Sequence, residues 1–228
     1  KEQLLGENHP DVATSLNNLA ELYKFQSRYI EAEPLYKRSL SLREQRLGEN
    51  HPSVATSVNN LALLYQCQGR YTEAESLYKH SLSLREQLLG ENHLDVAQSL
   101  NNLVVLYEYQ GRYAEAEPLC KRCLSLIEQL LGENNLYFAT SLNNLAGLYC
   151  SQGRYAEAEP LYKRSLSLKE QLLVENHPDF ATSLNNLAEL YQCQSRYAEA
   201  EPLYKRSLSL REQRLGENHP IVATSLNN

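Results

Sequence analysis

The chain has no tryptophan and no methionine, and its aromatics are nearly all tyrosine, sixteen against three phenylalanines. No apolar run approaches the roughly 18 residues that a membrane-crossing helix needs, so no membrane partner is expected. It also lacks a charged-then-apolar leader and begins "KEQLLGEN" without a methionine, which suggests a fragment of something longer. Five cysteines (Cys67, Cys120, Cys123, Cys150, Cys193) make no even, spaced framework, so a reducing, cytoplasmic setting is expected. Nor is positive charge gathered anywhere. Acids and bases interleave around a net charge of −6, unlike a phosphate-binding surface, so no nucleic-acid partner is expected. There is no glycine-rich phosphate loop, HExxH or nucleophile elbow, so neither enzymatic activity nor a cofactor is expected.

What the chain does have is repetition. "GENHP" stands at 6–10, 48–52 and 216–220, with near copies at 90–94, 132–136 and 174–178. The interval is 42 residues: His9, His51, His93, then Asn135 in the same column, then His177 and His219. Five complete repeats (9–50, 51–92, 93–134, 135–176, 177–218) lie between partial ones at 1–8 and 219–228. A fixed period of this length predicts a solenoid in which each unit buries its apolar face on its neighbours. The whole of 1–228 therefore reads as one all-α array of helix pairs.

Each repeat carries two helical patterns. In the first, Val12, Ala13, Leu16, Leu19, Ala20 and Tyr23 fall on one face. In the second, from Ile30, the residues Ala32, Leu35, Tyr36, Leu40, Leu42 and Leu47 cover a wider arc, suited to a helix wedged between two neighbours. Ala20, Ala32 and Ser39 are small enough for close helix approach. "QSRY" or "QGRY" is the turn between the two. Gly48 then marks a helix end with a left-handed residue, and Pro52 marks the next start. "GENHP" is thus a connector between repeats. Its histidines cannot share one metal across helices about 8–10 Å apart, so no metal site is expected. Pro34, Pro118, Pro160 and Pro202 fit less well; either the second helix starts later than its pattern or it bends there.

The "L..LA.LY" stretch, the "QGRY.EAE" turn and the following "LYKRSL" resemble the tetratricopeptide repeat, in the longer 42-residue form similar to kinesin light chains and to bacterial multidomain arrays. The resemblance implies a right-handed superhelical solenoid of antiparallel helix pairs. It also implies a concave groove, lined by first helices, that binds a peptide segment of a partner protein. The asparagine before "LA" (Asn18, Asn60, Asn102, Asn144, Asn186) matches one that often holds a ligand backbone. Columns that carry Lys or Arg in carboxylate-gripping members hold Thr14 and Asn17 here, so no carboxylate clamp is expected.

The variation between repeats points to the same face. Three columns vary most: Glu21, Leu63, Val105, Gly147, Glu189; Lys24, Gln66, Glu108, Cys150, Gln192; and Phe25, Cys67, Tyr109, Ser151, Cys193. On a helical wheel they share a face with Thr14 and with both asparagine columns, the second being Asn17, Asn59, Asn101, Asn143 and Asn185. Amides could satisfy any bound backbone while the varied columns discriminate side chains. Alternatively, the amides bridge adjacent helices. Cys120-x-x-Cys123 replaces a tyrosine and a serine at core positions and reads as buried packing. The carboxylates of "YAEAEP" read as a solvated face. The leading expectation is a peptide-binding scaffold; the next is an array that stacks end to end, and RNA binding comes a distant third.

Overall fold

The computed structural model describes residues 10–173 and 177–215. The partial repeats at 1–8 and 219–228, His9, His219 and the connector residues at 174–176 and 216–220 lie outside them. Among the described residues there are ten helices and no strand. They are α1 (Pro10–Phe25), α2 (Tyr29–Leu47), α3 (Pro52–Cys67), α4 (Tyr71–Leu89), α5 (Leu94–Tyr109), α6 (Tyr113–Leu131), α7 (Leu136–Ser151), α8 (Tyr155–Leu172), α9 (Pro178–Cys193) and α10 (Tyr197–Leu215). None is long and apolar enough to cross a membrane.

The connector histidines are helix caps. His51 precedes Pro52 with extended backbone, and its Nδ1 accepts a hydrogen bond from the Ser53 N–H at 3.1 Å. His93 and His177 do the same for the Asp95 and Asp179 N–H groups, at 3.1 and 3.3 Å. Asn135 serves equally well, because its Oδ1 accepts from the Phe138 N–H at 2.9 Å. One otherwise orphaned first-turn donor is satisfied each time.

At the other end, Gly48 and Gly90 have φ of 82° and 81°, as a helix-ending glycine should, but ψ of 158° and 161°. This is the extended, glycine-only region rather than the expected left-handed helical one. The fourth repeat has valine in that column, and its second helix ends at Leu172, with Leu173 extended instead. The turn within a pair does use the left-handed region. Gly69 sits at φ 74°, its N–H bonded to the Gln66 carbonyl and the Arg70 N–H to that of Tyr65. Ser27 and Ser195 take φ of 58° and 59° in the same turn.

The internal prolines delay nothing. α2 begins at Tyr29, one residue ahead of the apolar pattern, with Pro34 inside it. Proline removes the N–H that would bond the carbonyl four residues back, which belongs to Ile30. Ile30 is 89% exposed, so water can take that carbonyl.

The helices fall into two compact units divided between Gln110 and Gly111, the first holding α1–α5 and the second α6–α10. In the first, α1 packs on α2, α2 on α3, α3 on α4 and α4 on α5. In the second, α6 to α10 likewise pack each on the next, and α7 also touches α9. Within a pair the helices run antiparallel, since Tyr36 meets Glu21 while Ser39, further along, meets Ala13.

The core follows the predicted stripes, with three corrections. Val12, Ala13, Ala20, Ala32, Tyr36 and Leu42 are buried, and Leu16, Tyr23, Leu35 and Leu40 half-buried, but Leu47 is 41% exposed. Leu19 is 39% exposed, whereas its counterparts Leu61, Leu103, Leu145 and Leu187 are buried. The column of Leu22, which the stripe omits, is buried through Leu64, Leu106, Leu148 and Leu190. Small residues do bring helices together. Buried Ser39, Ser81, Ser165 and Ser207 each donate Oγ–H to a carbonyl of the partner helix, those of Ala13, Ala55, Ala139 and Ala181, at 2.6–2.8 Å. Cys120 and Cys123 lie buried in the core as expected, and burial pushes the Cys123 thiol above its ordinary range.

Candidate functional site

The asparagine columns do not form an open ladder opposite the core. They lie in the seam between consecutive first helices. Asn60 Nδ2 donates to Asn17 Oδ1 at 3.0 Å and Asn102 Nδ2 to Asn59 Oδ1 at 2.8 Å in the first unit; Asn186 Nδ2 donates to Asn143 Oδ1 at 3.1 Å in the second. The second amide of one repeat thus grips the first amide of the repeat before it. Asn59 and Asn185 are buried, Asn18 is exposed, and Asn17, Asn60, Asn101, Asn102, Asn143, Asn144 and Asn186 are half-buried. Helix bridging, the alternative reading of these residues, is therefore what the amides do in the protein alone. Each bridge leaves the amides with further donor and acceptor capacity. Asn185 is the exception: its Nδ2 donates to Glu189 Oε1 at 2.7 Å, while its buried Oδ1 has no partner among the described residues.

The three varied columns divide. Phe25, Cys67, Tyr109, Ser151 and Cys193 are exposed, with Phe25 at 75% and Tyr109 at 69%. The column before them turns partly inward, toward a tyrosine of the second helix. Tyr78 Oη donates to Gln66 Oε1 at 2.9 Å and Tyr204 Oη to Gln192 Oε1 at 2.6 Å. In the first repeat Tyr36 Oη donates to Glu21 Oε2 at 2.7 Å, and Lys24 Nζ donates to the other oxygen of Glu21, also at 2.7 Å. Burial raises the Glu21 carboxyl, but the hydrogen bonds from Lys24 and Tyr36 outweigh it and hold the group below its ordinary range. Glu108, half-buried, belongs to this column and has no such bond.

The "EAE" carboxylates are more than a solvated face. Glu33 accepts from Tyr65 Oη at 3.1 Å and from Arg70 Nη1 at 2.9 Å, both in the next repeat, and Lys37 lies 2.7 Å away on its own helix. The Arg70 guanidinium also stacks on the Tyr65 ring, 3.7 Å from its centroid. The second unit repeats this arrangement: Arg154 reaches Glu117, and Arg196 reaches Glu159, both at 2.6 Å. Hydrogen bonds from Arg196 and Lys163 hold the Glu159 carboxyl down at about 2. Arg70, Arg154 and Arg196, the arginines of their turns, therefore each fasten one repeat to the one before. A second fastener is a buried cation: Arg85 donates to the Asp95 carbonyl at 2.8 Å and Ser99 Oγ at 2.9 Å, and Lys169 to Ser183 Oγ at 2.9 Å.

Helix pairs of this register, joined by a "QGRY" turn and stacked through a small-residue seam, are what a repeat family would preserve. Tetratricopeptide-repeat profiles match residues 1–45, 11–86, 53–119 and 95–171, and a further one matches 180–221. The chain belongs to the tetratricopeptide repeat family. Tetratricopeptide proteins generally act as protein–protein interaction scaffolds, and their fold is typically non-enzymatic. No curated protein sequence matches this one. Among solved structures it is similar to BtubC (BKLC) from P. vanneervenii, with 27% identity and a TM-score of 0.79 over 92% of this chain and 84% of that one. It is also similar to a Podosopora anserina protein described as a kinesin light chain with nearly identical TPR-like repeats, at 25% identity and a TM-score of 0.76 over 90% and 97% of the two chains. The apo form of RapI shares the fold, with a TM-score of 0.75 at 13% identity over 88% and 70%.

Proposed function

We propose that the first-helix face of these repeats binds an extended segment of a partner protein, within one array spanning 1–228 in the cytoplasm. The observation that carries this reading is the exposure of Phe25 and Tyr109, at 75% and 69%, on the same helices as half-buried amides some two turns earlier. Large rings left in water along a helix that also carries amides are what an extended peptide needs: apolar anchors and backbone partners. In each unit the face comprises the asparagine pairs, with Glu21, Lys24, Gln66 and Glu108 in the first and Glu189 and Gln192 in the second. The chain contributes no chemistry of its own in this reading, and its net charge of −6 speaks against nucleic acid.

Because the amides also bridge helices, their replacement would confuse binding with stability. The exposed rings make the cleaner test. A Phe25→Ala/Tyr109→Ala double variant should retain the helical spectrum and lose about tenfold or more in peptide retention from a synthetic library, each ring contributing about 1 kcal/mol or more. Undiminished retention would count against the face.

A second reading, end-to-end association, is favoured by Leu19 and Leu22, exposed at 39% and 50%, where later repeats bury the same columns. A further helix pair fits that face. Light scattering across a hundredfold concentration range separates the readings, a constant mass favouring the scaffold.

A further inference from the structure

The first and third repeats differ at one place in a way that identifies a ligand group. In the first, Lys24 Nζ lies 2.7 Å from Glu21 Oε1 and 5.1 Å from the centroid of the Phe25 ring. A carboxylate and a ring face thus enclose an ammonium supplied by the protein itself. In the third, Glu108 occupies the column of Lys24, Tyr109 that of Phe25 and Val105 that of Glu21. The carboxylate and the ring are present, but the ammonium is missing.

Among the described residues no side chain serves the Glu108 carboxylate. Every other residue of its column has an internal partner: Glu21 for Lys24, Tyr78 for Gln66, Tyr162 for Cys150 and Tyr204 for Gln192. The tyrosine that serves Gln66 and Gln192 is replaced by Cys120 in the third repeat. Glu108 is half-buried, and among the described residues its side chain makes no hydrogen bond or ion pair. Burial pushes its carboxyl above the ordinary range. A carboxylate partly withdrawn from water and left uncompensated is a standing cost that a cation would relieve. Beside it Tyr109, 69% exposed, offers a ring face to the same cation.

We infer that α5 receives a basic side chain, lysine or arginine, of the bound segment, held between the Glu108 carboxylate and the Tyr109 ring. This rests on the peptide-binding reading and gives that face a charge preference. The partner segment carries a cationic residue where it crosses α5, meeting a carboxylate and a ring as the ammonium of Lys24 does in α1.

The test uses the intact chain and a synthetic library of twelve-residue peptides with every position randomised. Peptides retained at pH 7.5 should be enriched several-fold in lysine or arginine at one position. Glu108→Gln should abolish that enrichment, while Glu49→Gln, which removes the same charge from an exposed connector, should leave it intact. Retention should also weaken as the pH falls from 7.5 to 5, more steeply in the parent than in Glu108→Gln, because only the ionised carboxylate holds a cation. Peptides retained without basic enrichment, or enrichment that survives Glu108→Gln or disappears equally in Glu49→Gln, would overturn the inference and leave the binding face standing. No retention by any form would overturn both.

Discussion

Alanine in place of Tyr78 should destabilise the protein by about 3–5 kcal/mol, the range for removing a fully buried aromatic side chain. Tyr78 is completely buried in α4, and its hydroxyl passes behind α3 to reach Gln66. Two losses combine: the void left among α3 and α4, and the donor that half-buried Gln66 keeps at present. Phenylalanine separates them, because it retains the ring and should cost only about 1 kcal/mol. In an array where each helix leans mainly on the next, the damage should stay near its source. Guanidinium unfolding should show the midpoint falling in the order parent, Tyr78→Phe, Tyr78→Ala. Hydrogen exchange should show faster opening of α3 and α4 than of helices in the second unit. A Tyr78→Ala cost below about 1 kcal/mol would mean that the site collapses and refills.

Acid should act on the junctions between repeats. At Glu33, burial raises the carboxyl, but the bonds from Lys37, Arg70 and Tyr65 win and hold it at about 2. Glu117, bonded by Lys121 and Arg154, also stands at about 2, as does Glu159. The free carboxyl titrates near 4.5, so between these values the unfolded chain binds protons that the folded one refuses. Stability from these groups is therefore fully present above pH 4.5 and is lost as the pH falls toward 2. Lys37 and Lys163 are largely exposed, so solvent screening reduces each junction to roughly 1 kcal/mol. A Glu33→Gln/Glu117→Gln/Glu159→Gln variant should melt roughly 6–12 °C lower at neutral pH. Its melting temperature should also fall less than the parent's between pH 4.5 and 2.5. Parallel pH profiles for the two proteins would show that the junction carboxylates contribute nothing measurable.

The difference between what the sequence discloses and what it conceals is physical. The 42-residue period, the two helices per repeat and the proline starts are legible because each depends on local chemistry or on apolar spacing. The histidine cap was half legible: the connector is plain in "GENHP", but the imidazole's acceptor role depends on backbone geometry around His51. Arg70 and Glu33 read as ordinary surface charges because their partnership spans 37 positions, and no helical wheel of one repeat can display it. The asparagines misled in the same manner. Asn17 and Asn60 look like free amides on a wheel, yet they are each other's partners across a repeat boundary. Tyr36, in the column of Tyr78, was assigned correctly to the core by its ring, while the column's hydroxyl was not read as the brace beneath the varied column. Inter-repeat chemistry could have been sought in columns that are polar yet never change.

The bridges between asparagines run from a residue to one 43 positions earlier, the arginine clamps span 37, and the tyrosine-to-glutamate bonds span 32. All these offsets are tied to one register. Slippage during gene copying that adds or drops a whole unit leaves every fastening intact, whereas any other insertion length severs them all at that seam. Evolution can therefore lengthen or shorten this protein in steps of one unit, with little else to repair.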